Sequence, residues 1–193
     1  MGVLVDWQIE QRCLKQGMVV PYNPLLLNPA SIDVRVGDTA KLLVYTEKGF
    51  VAWVKRKLWQ HFEWGNEPKI EWLDIDLSET TASKPYWLKV GDRILIGSLE
   101  TFNLADDICA QFILKSSRGR EFYEHLLSGF CDPEWNGSKL TMEVINHSLK
   151  RLPLYKGFRL GQMVFSKLDA LPRKSYKVTG RYNGDKAVQE SRG

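Results

Sequence analysis

The chain of 193 residues has only three cysteines, Cys13, Cys109 and Cys131. An odd number at wide spacing implies no disulfide framework, and a reducing cytoplasm is the default setting. Histidine is equally scarce, with three in all. No Cys-x-x-Cys pair occurs, so a zinc site built from His and Cys is not expected. No apolar run approaches the ~18 residues that a membrane span needs. The first residues, "MGVLVDWQIEQ", have neither a basic n-region nor an apolar h-region, so no signal peptide is expected. Strong charge is missing too. With 27 basic and 23 acidic residues the net charge is +4, too small an excess to argue for nucleic acid. No repeat or low-complexity tract interrupts the chain.

What is present is ordinary for a soluble globular protein: 44% hydrophobic and 26% charged residues, enough for one domain with a real core. "VDWQIEQRCLKQG" predicts a short N-terminal helix capped by Asp6 and stopped by Gly17. "SIDVRVG" alternates Ile32, Val34 and Val36 against Asp33 and Arg35, the period of a strand. Further strands are expected at "AKLLVYT", "KIEWLDI", "DRILIGSLE", "ICAQFIL", "LTMEVIN", "RLPLY" and "QMVFSKL", several of them separated by Gly/Asp/Asn/Pro turns. The pattern is mainly β, a barrel or sandwich. One internal helix is expected over "SRGREFYEHLL" with Ser117 as N-cap. Residues 47–84 hold four tryptophans and mixed charge and read as an insertion or edge excursion. The basic, glycine-containing tail reads as a mobile arm.

Few places in the chain could carry chemistry. "HFEW" sets His61 and Glu63 in the His-x-Glu spacing of zinc nucleotide deaminases, but the Pro-Cys-x-x-Cys segment those enzymes need is missing. "LKSSRGRE" gathers Lys115, Ser116, Ser117, Arg118 and Arg120 where a strand gives way to a helix. Hydroxyls, cations and free N–H groups in one place suit an anion, and equally suit a solvated helix start. In "LTMEVIN", Leu140, Met142 and Val144 alternate to one side and Thr141, Glu143 and Ile145 to the other. Glu143 is then a solvated strand carboxylate or a pocket acid whose pKa burial would raise toward proton transfer. "GFCDPEWNG" ahead of it is turn chemistry that presents Asp132 and Trp135.

These segments occur in an order that resembles the dCTP deaminase family of the trimeric dUTPase-like superfamily. "NPASIDVRVGD" is similar to the family's Ser-Ile-Asp strand and "KSSRGRE" to its Arg-Ser-Ser-x-x-Arg segment. "SGFCDPEWNGSKLTMEVIN" resembles its Ala-Gly-Phe-Ile-Asp-Pro-Gly segment. "LPLYKGFRLGQMVFSKL" looks like its Gly-Gln-x-x-Phe strand pair, and "GRYNG…SR" like its tail. Only residues 40–100 stay largely unmatched.

The resemblance implies a distorted β-barrel over 1–175, a variable insertion at 47–84, and a flexible arm over 176–193 that closes on the site. It implies a cytoplasmic homotrimer with active sites between subunits, and no nucleic-acid or membrane partner. It implies zinc-free hydrolysis of dCTP to dUTP and ammonia, with Mg²⁺ on the triphosphate. Glu143 falls on the catalytic glutamate. Ser116 would hold the water and Arg120 would orient Glu143. Lys115 and Ser117 would reach phosphates, Asp132 the sugar or a water, and Trp135 would wall off the sugar. Gln162, Tyr176, Arg181 and Tyr182 complete the implied substrate site. Departures are Lys115 for Arg, Arg181 for Lys, Asp185 for Gln, Ser128 for Ala and Cys131 for Ile. A bifunctional enzyme that goes on to dUMP and pyrophosphate shares these motifs. A dUTPase-only or dCMP-specific relative, a nucleotide-binding regulator and a nucleic-acid-binding barrel are the other readings.

Overall fold

Alternating apolar positions make strands wherever they recur here, and the long central strands bury one face or more. The computed structural model describes residues 2–126 and 128–192. In chain order the elements are β1 (Gly2–Val3), α1 (Asp6–Gln16), β2 (Val19–Val20), a 3-10 turn (Pro24–Leu26), β3 (Leu27–Asn28), β4 (Ser31–Tyr45), α2 (Phe50–Phe62) and β5 (Ile70–Asp76). Then come β6 (Tyr86–Leu88), β7 (Arg93–Asn103), β8 (Ile108–Leu114), α3 (Ser116–Arg120), β9 (Tyr123–His125) and β10 (Phe130–Cys131). β11 (Asn136–Asn146), β12 (Leu152–Leu154), β13 (Arg159–Lys167) and α4 (Tyr176–Thr179) follow.

One antiparallel sheet runs in the order β10-β8-β13-β4-β7-β11-β9. Four short or edge strands join it, β1 on β13, β2 on β7, and β3 and β5 on β4, while β6 and β12 form a separate pair. The sheet curls around a core of Ile32, Val34, Ile96, Phe102, Phe112, Met142, Leu160, Met163 and Phe165. This is the expected mainly β, distorted-barrel architecture. "SIDVRVG" and "AKLLVYT" turn out to lie on one 15-residue strand, β4, in which Gly37-Asp38 falls at a register shift against β7 and does not turn the chain.

Two local expectations are corrected. Val5, not Asp6, is the N-cap of α1; Asp6 lies in the first turn and its Oδ1 accepts from the Trp7 N–H. Gly17 does end the helix, at φ 62°, the left-handed conformation that favours glycine. The internal helix is one turn only. It starts at Ser116 with Lys115 as N-cap, and Tyr123–His125 is already a strand, drawn into β9 by pairing with β11. Leu127, the last residue of the expected helix, lies outside the described residues. Residues 47–84 contain helix α2 besides strand β5, which pairs with β4 from Tyr45↔Ile70 to Thr39↔Asp76. Among the described residues no helix is long and apolar enough to cross a membrane.

The polar side of "SIDVRVG" is buried as well, and therefore paired. Asp33, 1% exposed, takes Lys115 Nζ at 2.5 Å and Asn28 Nδ2 at 2.8 Å. Glu100, fully buried on β7, takes Arg35 Nε at 2.6 Å and the Arg35 N–H at 2.9 Å. Arg12 and Asp107 form a two-bond pair at 3.0 and 2.8 Å that ties α1 to the turn before β8.

Candidate active site

β11 carries the central carboxylate. Leu140, Met142 and Val144 point into the core, buried as the alternation predicts. Glu143 points the other way, between Leu95 of β7 and the β9 side of the sheet. It lines a cavity of about 450 Å³, in the size range of small-ligand sites. Asp132, Trp135, Tyr176 and Tyr182, four of the residues implied by resemblance, line the same cavity. Asp185 lines it too, as do Trp72, Ser128 and Lys139.

Glu143 is held from two elements. Ser128 Oγ donates to its Oε2 at 2.5 Å, and His125 Nε2 stands 3.3 Å from the same oxygen. His125, 3% exposed, is brought beside Glu143 by the pairing of β9 with β11, in which it faces Val144. Phe112 packs edge-on against the imidazole, with ring centroids 4.8 Å apart. Glycine is needed where Phe112 is approached. A Cβ at Gly161 would sit 2.2 Å from its ring, and one at Gly129 2.8 Å from its carbonyl. Burial alone would raise the Glu143 pKa, as expected from a pocket acid. The close His125 imidazole and the Ser128 hydroxyl together outweigh it and bring the pKa below the ordinary value. The expected raised pKa is thus corrected to a lowered one.

Trp135 forms one wall. It is buried, stacks on Phe102 at 5.8 Å, and donates Nε1–H to the Tyr182 carbonyl at 3.0 Å. That bond begins a seam along which the C-terminal segment lies on β11. Asn136 N–H donates to Asn183 Oδ1 at 2.7 Å, Gly184 N–H to the Asn136 carbonyl at 3.0 Å, and Lys139 N–H to the Asp185 carbonyl at 2.7 Å. Gln189 N–H donates to Thr141 Oγ1 at 3.1 Å, and Val188 is buried. The segment read as a mobile arm is therefore docked across the cavity in this structure. Asp185, the acid at odds with phosphate, is neutralised by Arg192 Nη2 at 2.6 Å. Arg192 also bonds the Arg181 carbonyl and lies over the Tyr182 ring. Arg181 itself is exposed.

The "KSSRGRE" residues lie outside the cavity. Lys115 is engaged by buried Asp33, and Arg118 pairs with Glu121 at 2.5 Å over the Phe158 ring. Ser116 and Arg120 are exposed, and Ser117 is partly so. Within one chain they do not meet Glu143. Gln162, on β13, accepts from Ser31 Oγ at 3.0 Å and is also apart from the cavity. The decoy pair sits at the end of α2. His61 is exposed with Nδ1 3.0 Å from the Lys57 carbonyl, and Glu63 is the C-cap.

Reading the sequence alone missed His125, Ser128 as a hydrogen-bond donor, and Trp72. A signal existed for Ser128, which stands in place of alanine beside the turn. None existed for Trp72, which reaches the cavity only because β5 pairs with β4.

The dCTP deaminase-like family model matches residues 3–168. The chain belongs to that family. Among curated dCTP deaminase-like relatives, the "dCTP deaminase, dUMP-forming" of a Nocardioides species is 31% identical over 177 residues, covering 89% of this chain and 84% of its own. The protein of the same name from Clavibacter michiganensis is 29% identical over 176 residues, covering 89% and 80%. A crystal structure of 2'-deoxycytidine 5'-triphosphate deaminase from Agrobacterium tumefaciens superposes with a TM-score of 0.62 at 19% identity. It covers 92% of this chain, and this chain spans about half of that longer one, at 51%. At that identity the likeness concerns the fold.

Proposed function

We propose that the protein hydrolytically deaminates dCTP and carries the product on to dUMP and pyrophosphate. The observation that carries the reading is Glu143, held by His125 and Ser128 in a cavity shared with Asp132, Trp135, Tyr176 and Tyr182. Hydrolysis at C4 of cytosine adds water, protonates N3 and expels ammonia. One fixed carboxylate can take the water's proton, deliver it to N3 and later serve the departing amine. With its pKa lowered, Glu143 is ionised at neutral pH and ready for the first of these transfers.

Deamination alone, releasing dUTP, is the reading that the sequence motifs put first. The relatives named above support the second, bifunctional reading better, since both are called dUMP-forming. Asp132 at the cavity wall is the residue we assign to the water that attacks the α-phosphate.

Electrostatics call for help from outside the single chain. Of the acids lining the cavity, Asp185 is paired with Arg192 and Glu190 with Lys41, which leaves Asp132 and Glu143 against one lining cation, Lys139, among the described residues. A triphosphate enters only with added positive charge. Magnesium arrives on the triphosphate as part of the substrate. The exposed Ser116 and Arg120, with Ser117 and Lys115 beside them, would come from a neighbouring copy in a cytoplasmic homotrimer. Arg181 would act from the arm, and Gln162 would support the site from β13.

The test is product analysis from dCTP with Mg²⁺, reading ammonia, pyrophosphate and nucleotide separately. Equimolar ammonia and pyrophosphate with dUMP is the expected result. Ammonia with dUTP would return the reading to deamination alone. Pyrophosphate from dUTP without ammonia from dCTP would make the protein a dUTPase, and no turnover with tight nucleotide binding would make it a regulator.

A further inference from the structure

Serine 128 stands where the family segment resembled here carries alanine, and its hydroxyl donates to Glu143 Oε2 at 2.5 Å. His125 Nε2 approaches that same oxygen to 3.3 Å, from β9. The imidazole is 3% exposed, and Nε2 has no hydrogen bond of good geometry among the described residues. Both side-chain contacts therefore land on one oxygen of the carboxylate, from two different elements. A glutamate's terminal torsion is broad and roughly two-fold, so an unanchored carboxylate swings through many orientations. An anchored oxygen fixes the plane and leaves the other oxygen aimed.

We propose that Ser128 is a positioning residue that makes Oε2 the anchored oxygen of Glu143 and leaves Oε1 to exchange protons with the substrate. The proposal deepens, and rests on, the reading of Glu143 as the proton carrier. It assigns a gain to this chain's serine, because alanine has no donor to offer. With His125, the serine helps keep the carboxylate ionised although partly buried, because the bond is stronger to the ionised form.

The groups that face Glu143 are few. β9 contributes His125, and β7 contributes Leu95, which carries no charge. Across the cavity stand Lys139, Asp132, Asp185 and Glu190, with the phenols Tyr176 and Tyr182.

The experiment compares Ser128→Ala and Ser128→Thr with wild type. In Ser128→Ala, kcat for ammonia release from dCTP should fall about tenfold, with KM for dCTP within about twofold, as loss of one charge-assisted bond to the working group predicts. The acid limb of the kcat profile should move up by as much as about one unit. Ser128→Thr keeps the hydroxyl and should recover most of the rate. A ¹³C-carboxyl titration of Glu143 in the unliganded protein reads the same contact without turnover, and should move up in Ser128→Ala only. An unchanged kcat and an unmoved carboxyl titration in Ser128→Ala would overturn the proposal and leave the deaminase reading intact. If wild type releases no ammonia, the deaminase reading falls, and the carboxyl titration still decides whether Ser128 holds Glu143.

Discussion

Trp135→Phe isolates the bond that starts the seam between the C-terminal segment and the barrel. Phenylalanine keeps an aromatic ring in the buried wall and keeps the stack on Phe102. What it removes is the Nε1–H bond to the Tyr182 carbonyl at 3.0 Å. One neutral hydrogen bond contributes about 0.5–1.5 kcal/mol net. At about 1.4 kcal/mol per decade, the undocked population of the segment should rise roughly two- to tenfold. The other seam bonds, from Asn136, Lys139, Gly184 and Gln189, are untouched, so the docked form remains the major one. Trypsin reads this directly. Arg181 and Lys186 are exposed but flank the residues bonded to Trp135 and β11, and Lys186 Nζ itself bonds the Gly137 carbonyl. Cleavage of a transiently opened segment follows its population. The cleavage rate should rise by the same two- to tenfold while the urea midpoint of the barrel moves little. The KM for dCTP should rise in step, because a docked segment lines the cavity. Wild-type cleavage rates in Trp135→Phe would refute the idea that this bond latches the segment.

Other consequences follow from single contacts. Lys115→Ala leaves Asp33, 2% exposed at its side chain, with a more distant Arg159 at 3.6 Å. Urea unfolding should show a loss of about 3 kcal/mol, and adding Asp33→Asn should return most of it. Asp107 is held below the ordinary Asp range by its hydrogen bonds from Arg12. A carboxylate depressed in the folded state stabilises above its unfolded pKa of about 4, and that stabilisation is lost as pH falls through the folded value. Asp107→Asn should therefore cost about 1 kcal/mol at pH 7, discounted for partial exposure. Near pH 3 the difference from wild type should shrink. Deleting residues 176–193 should leave the barrel's circular dichroism and cooperative unfolding intact, since Val188 is the segment's one buried apolar residue among those described and Tyr176 packs on the core only in part. The same deletion should lower kcat/KM for dCTP by at least about tenfold.

The strands were legible because their apolar and β-branched runs are bounded by turn residues. β8 runs over "ICAQFIL" from end to end, and β5 over nearly the whole of "KIEWLDI". α2 was not, because its apolar residues do not face the core. Phe50, Val51, Trp53 and Phe62 are all exposed, and only Ala52 is buried. Helical periodicity is a signal of burial on one side, and this helix buries little. The site was legible in part. Glu143, Asp132, Trp135, Tyr176 and Tyr182 lie up to 50 positions apart, and shared motifs linked them before the cavity did. His125 was invisible because its role depends on strand register, which no local pattern states. A short helix followed by a strand reads as one long helix when Phe122, Tyr123, His125 and Leu126 happen to fall at helical spacings. The pKa of Glu143 was misjudged for a related reason. Burial could be guessed from the pattern, but the two groups that outweigh it, His125 and Ser128, come from outside the strand.

Ammonia release from dCTP by Glu143→Gln, in protein shown to be folded like wild type, tests the central claim most directly. Glutamine fills the same space but cannot accept the water's proton. Removal of a positioned acid–base group lowers rates by about 10²–10⁴, so release should fall at least a hundredfold with dCTP still bound. A variant that keeps more than about a tenth of the wild-type rate would contradict the assignment of Glu143 as the proton carrier.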